Sequence, residues 1–223
     1  MKPEELALYI DHTLLSANAS ESKIDQLCKE AYQYRFASVC VNSCWTDRCY
    51  QHLKGSPVNV CTVVGFPLGA MKSESKAFEA SQAISDGAKE IDMVINVGFL
   101  KDGNFDSVRK DIEMVKEACG DRLLKVIIEK CLLSDEEKAM ACRLAMEAGS
   151  DYVKTSTGFS TGGATEKDVA LMRSIVKDAL GVKASGGVRS FETAVAMIAA
   201  GASRLGTSSS IAIIQGAESN ASY

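Results

Sequence analysis

Short β-branched runs alternate with longer amphipathic stretches along most of this chain. Runs of strand length, rich in Val and Ile, fall at residues 10–14, 37–42, 59–65, 90–97, 123–129, 152–156, 182–185 and 203–206. Between them, apolar positions recur at helical spacing over 21–35, 73–86, 106–119, 135–148, 166–180 and 191–200. A weaker helical pattern follows Ser43 and a short one follows Ser208. Several of these stretches open on an acid or hydroxyl residue and stop at glycine, as from Asp135 to Gly149 and from Ser190 to Gly201. Residues 2–9 read as a short extra helix ahead of the first strand.

Eight strand–helix units predict an α/β chain closed into a (β/α)8 TIM barrel. The expectation is one domain over residues 1–223, with residues 2–9 closing the barrel bottom and 216–223 forming a mobile tail. A doubly wound open sheet is disfavoured. No G-x-G-x-x-G follows the first strand, and polar residues cluster at the ends of many strands rather than at one switch point.

Strand alternation decides which side chains enter the barrel. It sends Asp11 and Thr13 inward from the first strand, Ser38, Cys40 and Asn42 from the second, and Asp92, Val94 and Asn96 from the fourth. Lys154 shares a face with Tyr152 on the sixth strand, and Lys183 points inward with Ser185 on the seventh. His12 faces outward as a packed histidine. Neighbouring strands lie about 4.8 Å apart, so the two amines can approach within roughly 6 Å. A desolvated amine beside a second cation has a lowered pKa and is partly free base near neutral pH, the form that attacks an aldehyde carbon. One lysine at a strand end ordinarily snorkels to water. Two on adjacent strands, both inward and sharing a cavity with Asp92, point instead to Schiff-base chemistry. Alternate strands share a layer, so Asp92 can stand level with Lys154, neutralise one lysine and route protons.

A second site is suggested by glycine. Ser185-Gly186-Gly187 ends the seventh strand, and Gly206-Thr207-Ser208-Ser209 ends the eighth and opens a short helix; Gly158 follows the sixth. Turn chemistry explains either loop alone. Together, on adjacent strands, they predict a phosphate cradle, because backbone N–H groups can approach an oxyanion there and this is the usual phosphate position of the fold.

Composition narrows the partners. The chain has 223 residues, 46% of them hydrophobic, and a net charge of -4, with no basic stripe, which excludes a general nucleic-acid binder. No apolar run approaches the roughly 20 residues of a membrane span. The start carries no charged-then-apolar leader, so cytoplasm is the expected location. Eight scattered cysteines read as reduced thiols. The cluster Cys40, Cys44, Cys49, His52 lacks a paired C-x₂-C, and no metal is expected.

Six segments carry a family resemblance: Ile10-Asp-His-Thr-Leu14, Val63-Val-Gly-Phe-Pro-Leu-Gly69, Glu90-Ile-Asp-Met-Val-Ile-Asn-Val-Gly98, Lys125-Val-Ile-Ile-Glu129, Val153-Lys-Thr-Ser-Thr-Gly-Phe159 and Val182-Lys-Ala-Ser-Gly-Gly-Val-Arg189. In that order the chain resembles deoxyribose-phosphate aldolase, from near residue 10 to near 212. The resemblance implies a class I, cofactor- and metal-free aldolase that splits 2-deoxy-D-ribose 5-phosphate into acetaldehyde and D-glyceraldehyde 3-phosphate, in deoxyribonucleotide catabolism. It implies the same barrel, small-molecule phosphosugar and aldehyde partners, and a homodimer or monomer. It makes Lys154 the Schiff-base lysine, Lys183 the cation that lowers its pKa, and Asp92 the proton-relay acid. Asp11, Thr13 and Cys40 match positions near the substrate hydroxyls, and Gly158, Gly186, Gly187, Ser208 and Ser209 match the phosphate loops. Tyr223, at the chain end, matches a tail tyrosine that helps protonate the enamine carbon. Two departures stand out: Ser43 where the family often has Pro, and Lys130 where it often has Thr. Parity points Lys130 outward, which implies a changed loop rather than changed chemistry. The competing readings are another lysine-dependent phosphosugar aldolase or transaldolase-like barrel, and a barrel that only binds sugar phosphate.

Overall fold

In the computed structural model, residues 1–217 are described. Eight parallel strands form a closed barrel in sequence order: β1 (Ile10–Leu14), β2 (Ser38–Val41), β3 (Asn59–Val64), β4 (Glu90–Val94), β5 (Leu123–Ile127), β6 (Tyr152–Lys154), β7 (Gly181–Ser185) and β8 (Arg204–Thr207). β8 closes back onto β1 with Asp11 opposite Gly206. The helices are α1 (Pro3–Ala7), α2 (Glu21–Tyr34), α3 (Thr46–Leu53), α4 (Ser73–Ser85), α5 (Val97–Lys101), α6 (Phe105–Cys119), α7 (Asp135–Glu147), α8 (Glu166–Val176), α9 (Phe191–Ala199) and α10 (Ser210–Ile214). The TIM barrel anticipated from the pattern is the architecture found, with α1 as the extra helix before β1.

Local signals account for the helix starts. Ser134 and Glu137 form a reciprocal capping box at α7. Thr165 and Ser190 each accept from the amide three residues on, opening α8 and α9. Boundaries moved where a side chain found a local backbone partner. The run over 90–97 ends as strand at Val94, because the Asn96 carboxamide accepts from Phe99 N at 3.0 Å and starts α5. Asn96 is therefore a helix cap rather than an inward strand residue. The helix over 166–180 stops at Val176, where Lys177 takes a positive φ of 47°.

The outward strand residues Val39, Val41, Ile91, Met93, Val126, Val153, Val182 and Leu205 are fully buried under the helices. His12 is among the outward set, as expected, held between α2 and α10 by Glu30 at 2.8 Å and Ser210 at 2.9 Å. The interior is divided. Leu15, Cys40, Cys61 and Val63 make a small apolar and thiol cluster with Phe66 against it. Asp11, Glu90, Asp92, Lys125, Lys154 and Lys183 are also buried there, a departure from the branched aliphatic layers that usually fill such barrels. No helix among the described residues is long and apolar enough to cross a membrane. The amides of Gly216 and Ala217 bond back to the last turn of α10, at Ile213 and Ala212. The rest of the anticipated tail, with Tyr223, lies outside the described residues.

Candidate active site

Asp92 sits at the centre of the barrel interior with no exposed surface. Its Oδ2 accepts from Lys154 Nζ and from Lys183 Nζ, each at 2.8 Å. Lys154 and Lys183 are directly opposite one another on β6 and β7. Sharing one oxygen keeps their nitrogens no further apart than twice that bond. Asp92, Lys154 and Lys183, which alternation sends inward, thus meet at one atom.

Three further charged residues, missed in the sequence, complete the network. Lys125 donates to Asp92 Oδ1 at 2.8 Å and lies 2.6 Å from Glu90. Arg204 bonds Asp11 at 2.6 Å and Glu90 at 3.0 Å. Asp11 also accepts from Lys183. Burial by itself would push the Asp92 carboxyl up, but Lys125, Lys154 and Lys183 outweigh it and hold it well below the usual carboxylate range. Burial also opposes the Lys183 charge; Asp11 and Asp92 outweigh it and raise the amine above its ordinary value. Lys183 is a fixed cation. Among the described residues four basic groups face three carboxylates here, and Lys154 is the one with a single carboxylate contact.

The proposed hydroxyl-binding positions lie around this network. Asp11 is tied up in it, paired with Lys183 and Arg204. Thr13 donates its hydroxyl to the Asp11 carbonyl at 2.8 Å. Cys40 stands in register with Cys61, whose thiol donates to Asp92 Oδ1 at 3.1 Å. A hydrogen bond from Cys61 pulls the Cys40 thiol down against the effect of burial, and burial pushes Cys61 well up. Cys40, Cys61 and Asp92 bring two sulfurs and an oxygen within 4.8 Å of one another. A cation there would have to displace Lys125 from Asp92 and face two more ammonium groups, so the donor set does not suit a metal.

Above the network, the loops after β6, β7 and β8 enclose a cavity of about 210 Å³. Gly158, Gly186, Gly187, Ser208 and Ser209 all line it, with Arg189 at the edge. Gly158, Gly186 and Gly187 have φ of 88°, 80° and 77°, a backbone that a side chain would strain. The Ser209 hydroxyl is buried there with no protein partner among the described residues. Gly206 is placed differently. It lies in β8 below the cavity wall, where an added Cβ would meet Ser185 Oγ at 2.3 Å and Lys183 Cε at 3.0 Å. Its smallness makes room for the lysine.

Glu129 has no ion pair with a lysine among the described residues. At a positive φ of 50°, it accepts from the Thr157 amide at 3.3 Å and from the Thr157 hydroxyl, anchoring the loop that follows Lys154. Lys130 points away from the barrel interior and pairs with Asp168 at 2.7 Å. The Ser43 hydroxyl donates to Glu79, which also accepts from the Gly65 amide at 2.9 Å, so that departure ties the loops after β2 and β3 together.

Residues 5–216 match the model of the DeoC/LacD family of aldolases. A deoxyribose-phosphate aldolase of Brevibacillus brevis is 62% identical over 214 residues, covering 96% of this chain and 97% of that protein. One from a Geobacillus species is 60% identical over 219 residues, covering 98% of each. Among solved structures, the tetrameric deoxyribose phosphate aldolase of Aeropyrum pernix superimposes with a TM-score of 0.90 at 35% identity, over 96% of this chain and 91% of that one. An aldolase called QR15 gives 0.91 at 38% identity over 95% of each chain.

Proposed function

The chain belongs to the DeoC/LacD family of aldolases, and from that premise we propose that it cleaves 2-deoxy-D-ribose 5-phosphate reversibly to acetaldehyde and D-glyceraldehyde 3-phosphate through a Schiff base on Lys154. The observation that carries this reading is the pair of lysines on one carboxylate oxygen, Lys154 and Lys183 at 2.8 Å from Asp92 Oδ2. Lys183 keeps its charge between two carboxylates.

Neutral Lys154 adds to C1 of the open-chain sugar, and loss of water gives a protonated imine. That imine is the electron sink for the next step. The C3 hydroxyl proton passes to a water held by Asp92 and Lys183, the C3 carbonyl forms, and the C2–C3 bonding pair moves into an enamine. Glyceraldehyde 3-phosphate leaves the glycine-walled cavity, which is the proposed phosphate site. Protonation of the enamine carbon, assigned to Tyr223, and hydrolysis return acetaldehyde and the free amine. Asp11, Thr13 and Cys40 shape the space for the sugar hydroxyls. The same reading takes residues 1–223 as one catalytic barrel domain acting on small molecules, as a homodimer or monomer, in the cytoplasm and without cofactor or metal.

Borohydride reduction in the presence of acetaldehyde, followed by peptide mass mapping, tests it. The expected product is an ethyl group on Lys154. Consumption of sugar phosphate with no trapped adduct, or with the adduct on another lysine, would refute the assignment.

A further inference from the structure

We propose that Lys130 is a positioning residue for the phosphate end of the substrate: paired with Asp168, it fixes the cavity wall formed by the loop after β6. This rests on the phosphate reading of the glycine-walled cavity above. The loop runs over residues 155–165, between β6 and α8, and supplies Gly158, Ser160, Gly162 and Gly163 to the cavity. Arg189 is the one charged side chain among the described lining residues. The other donors there are backbone amides and hydroxyls, whose hydrogen bonds weaken steeply outside a narrow range of distance and angle. Affinity for an oxyanion therefore depends on where the loop is held.

The 3-10 turn Lys130–Leu132, which follows Glu129, touches this loop at both ends and in the middle. The Lys130 amide donates to the Thr155 carbonyl at 2.9 Å. The Cys131 thiol donates to the Ser160 hydroxyl at 3.3 Å. Gly162 packs so closely on the turn that an added Cβ would lie 3.1 Å from Cys131 Cβ and 4.0 Å from Lys130 Nζ. At the far end, Lys130 Nζ meets Asp168 Oδ2 at 2.7 Å. The same oxygen accepts from the Thr165 hydroxyl at 2.6 Å, and the Asp168 amide donates back to that hydroxyl at 3.1 Å. Thr165 is the last residue of the loop and the N-cap of α8. The ion pair thus fastens the end of the loop to the turn. The Ala164 amide in turn bonds the Ser185 and Gly186 carbonyls at 3.1 Å and 2.9 Å, so a shift of this wall carries to the loop after β7.

A surface ion pair would not hold a loop in this way, because water and salt screen it. The Lys130 and Asp168 side chains are only 11% and 6% exposed, so little water stands ready to replace either partner. Breaking the pair leaves an uncompensated buried charge, and that charge reaches water only by moving the backbone that carries it. Lys138 makes the contrasting case. It pairs with the other oxygen of Asp168 at 2.7 Å, and with Asp135, from α7. No residue of α7 lines the cavity, so losing Lys138 weakens the same carboxylate without releasing the turn. A threonine at position 130 carries no charge to make the connection.

The test is steady-state cleavage of 2-deoxyribose 5-phosphate and of unphosphorylated 2-deoxyribose. KM does not depend on the fraction of enzyme that is folded, so a destabilised variant still reports on the site. Lys130→Met and Asp168→Asn should each raise KM for the phosphosugar about fivefold, and the double variant no further, because partners in one contact are not additive. Neither should change kcat on the phosphosugar, or kcat/KM on the unphosphorylated sugar, by more than about twofold. Lys130→Arg should restore KM. Lys138→Met should lose stability and keep KM. Equal rises in KM for Lys138→Met and Lys130→Met would make the pair a stabilising contact only and overturn the proposal. So would a rise in Lys130→Met that Asp168→Asn does not share, since the lysine charge would then act on the phosphate without its partner. Gly163→Ala separates the proposal from the reading beneath it. If it raises KM and Lys130→Met does not, the cavity binds phosphate and only the positioning role falls. If neither does, the phosphate binds elsewhere and both fall.

Discussion

Lys125 donates to Oδ1 of Asp92 at 2.8 Å from the directly opposite position on the next strand. That bond fixes the rotation of the carboxylate, so that Oδ2 is the oxygen offered to Lys154 and Lys183. Lys125 also lies 2.6 Å from Glu90. Replacing it by methionine leaves two buried carboxylates short of a partner. Breaking a buried pair in this way costs about 3–5 kcal/mol. Lys125→Met should lose that much in urea unfolding and should also lower kcat. Lys138→Met is the control. It breaks a pair with Asp168 in the helical layer and should cost stability with little change in kcat per folded molecule. Equal effects on kcat would show that Lys125 acts through stability alone.

Gly163 tests the phosphate cradle through its backbone. An added Cβ would lie 2.3 Å from the Gly186 carbonyl oxygen, so one of the two loops must shift. Both loops line the same cavity. Gly163→Ala should raise KM for 2-deoxyribose 5-phosphate about tenfold, or ~1.4 kcal/mol, and leave cleavage of unphosphorylated 2-deoxyribose nearly unchanged. Steady-state kinetics on the two sugars separates the outcomes; an equal effect on both would remove the phosphate from this cavity.

Part of this site is legible in the sequence. A period of two in Glu90–Val94 and Gly181–Ser185 says which side chains face inward, and that was enough to bring Asp92 and Lys183 together with Lys154. Period says nothing about depth. The level of a side chain depends on the stagger of strands around the closed barrel, and that is a property of the whole sheet. Lys125, Glu90 and Arg204 belong to the charged floor for that reason, although Lys125 lies in a motif already singled out. Gly206 was misplaced for the same reason: its loop composition suggested the cradle, while the register puts it beside Ser185, below the wall. The Asn96 cap had a local signal, a side-chain amide just ahead of an apolar turn, which the β-branched run before it masked.

Asp168 links folding stability to pH. It accepts from Lys130 and Lys138, each at 2.7 Å, and from Thr165. Burial alone would raise its carboxyl; the hydrogen bonds from Lys130, Lys138 and Thr165 outweigh that and bring it down to about 2. A carboxyl depressed in the folded state contributes its stability above the unfolded value of about 3.9 and loses it as pH falls through the folded one. Asp168→Asn should therefore be less stable than wild type at pH 5, and the gap should close as pH drops from about 4 toward 2. Denaturant midpoints measured across that range decide it. A gap that stays constant would mean the charge of Asp168 contributes nothing.

Glu129 holds the loop after the proposed Schiff-base lysine from an unfavourable backbone. Its φ of 50° is left-handed, which costs a side-chain-bearing residue about 1–2 kcal/mol. The return is a buried carboxylate bonded to the amide and hydroxyl of Thr157, whose own oxygen accepts from Phe159 N at 3.0 Å. Two substitutions separate these terms. Glu129→Gln keeps the shape and exchanges charge-assisted bonds for neutral ones, a loss of about 1 kcal/mol. Glu129→Gly relieves the backbone and removes the anchor. If the anchor is what matters, the glycine variant should unfold globally at nearly the wild-type denaturant concentration, since relief offsets loss, and yet exchange the Thr157 and Phe159 amides at least about tenfold faster, ~1.4 kcal/mol of local opening. Its rate of reductive trapping by acetaldehyde and borohydride should fall in step, because Lys154 then lacks a fixed strand end. Unchanged amide exchange in Glu129→Gly would show that the loop is held by its own turns and that the strained glutamate has no part in placing the lysine.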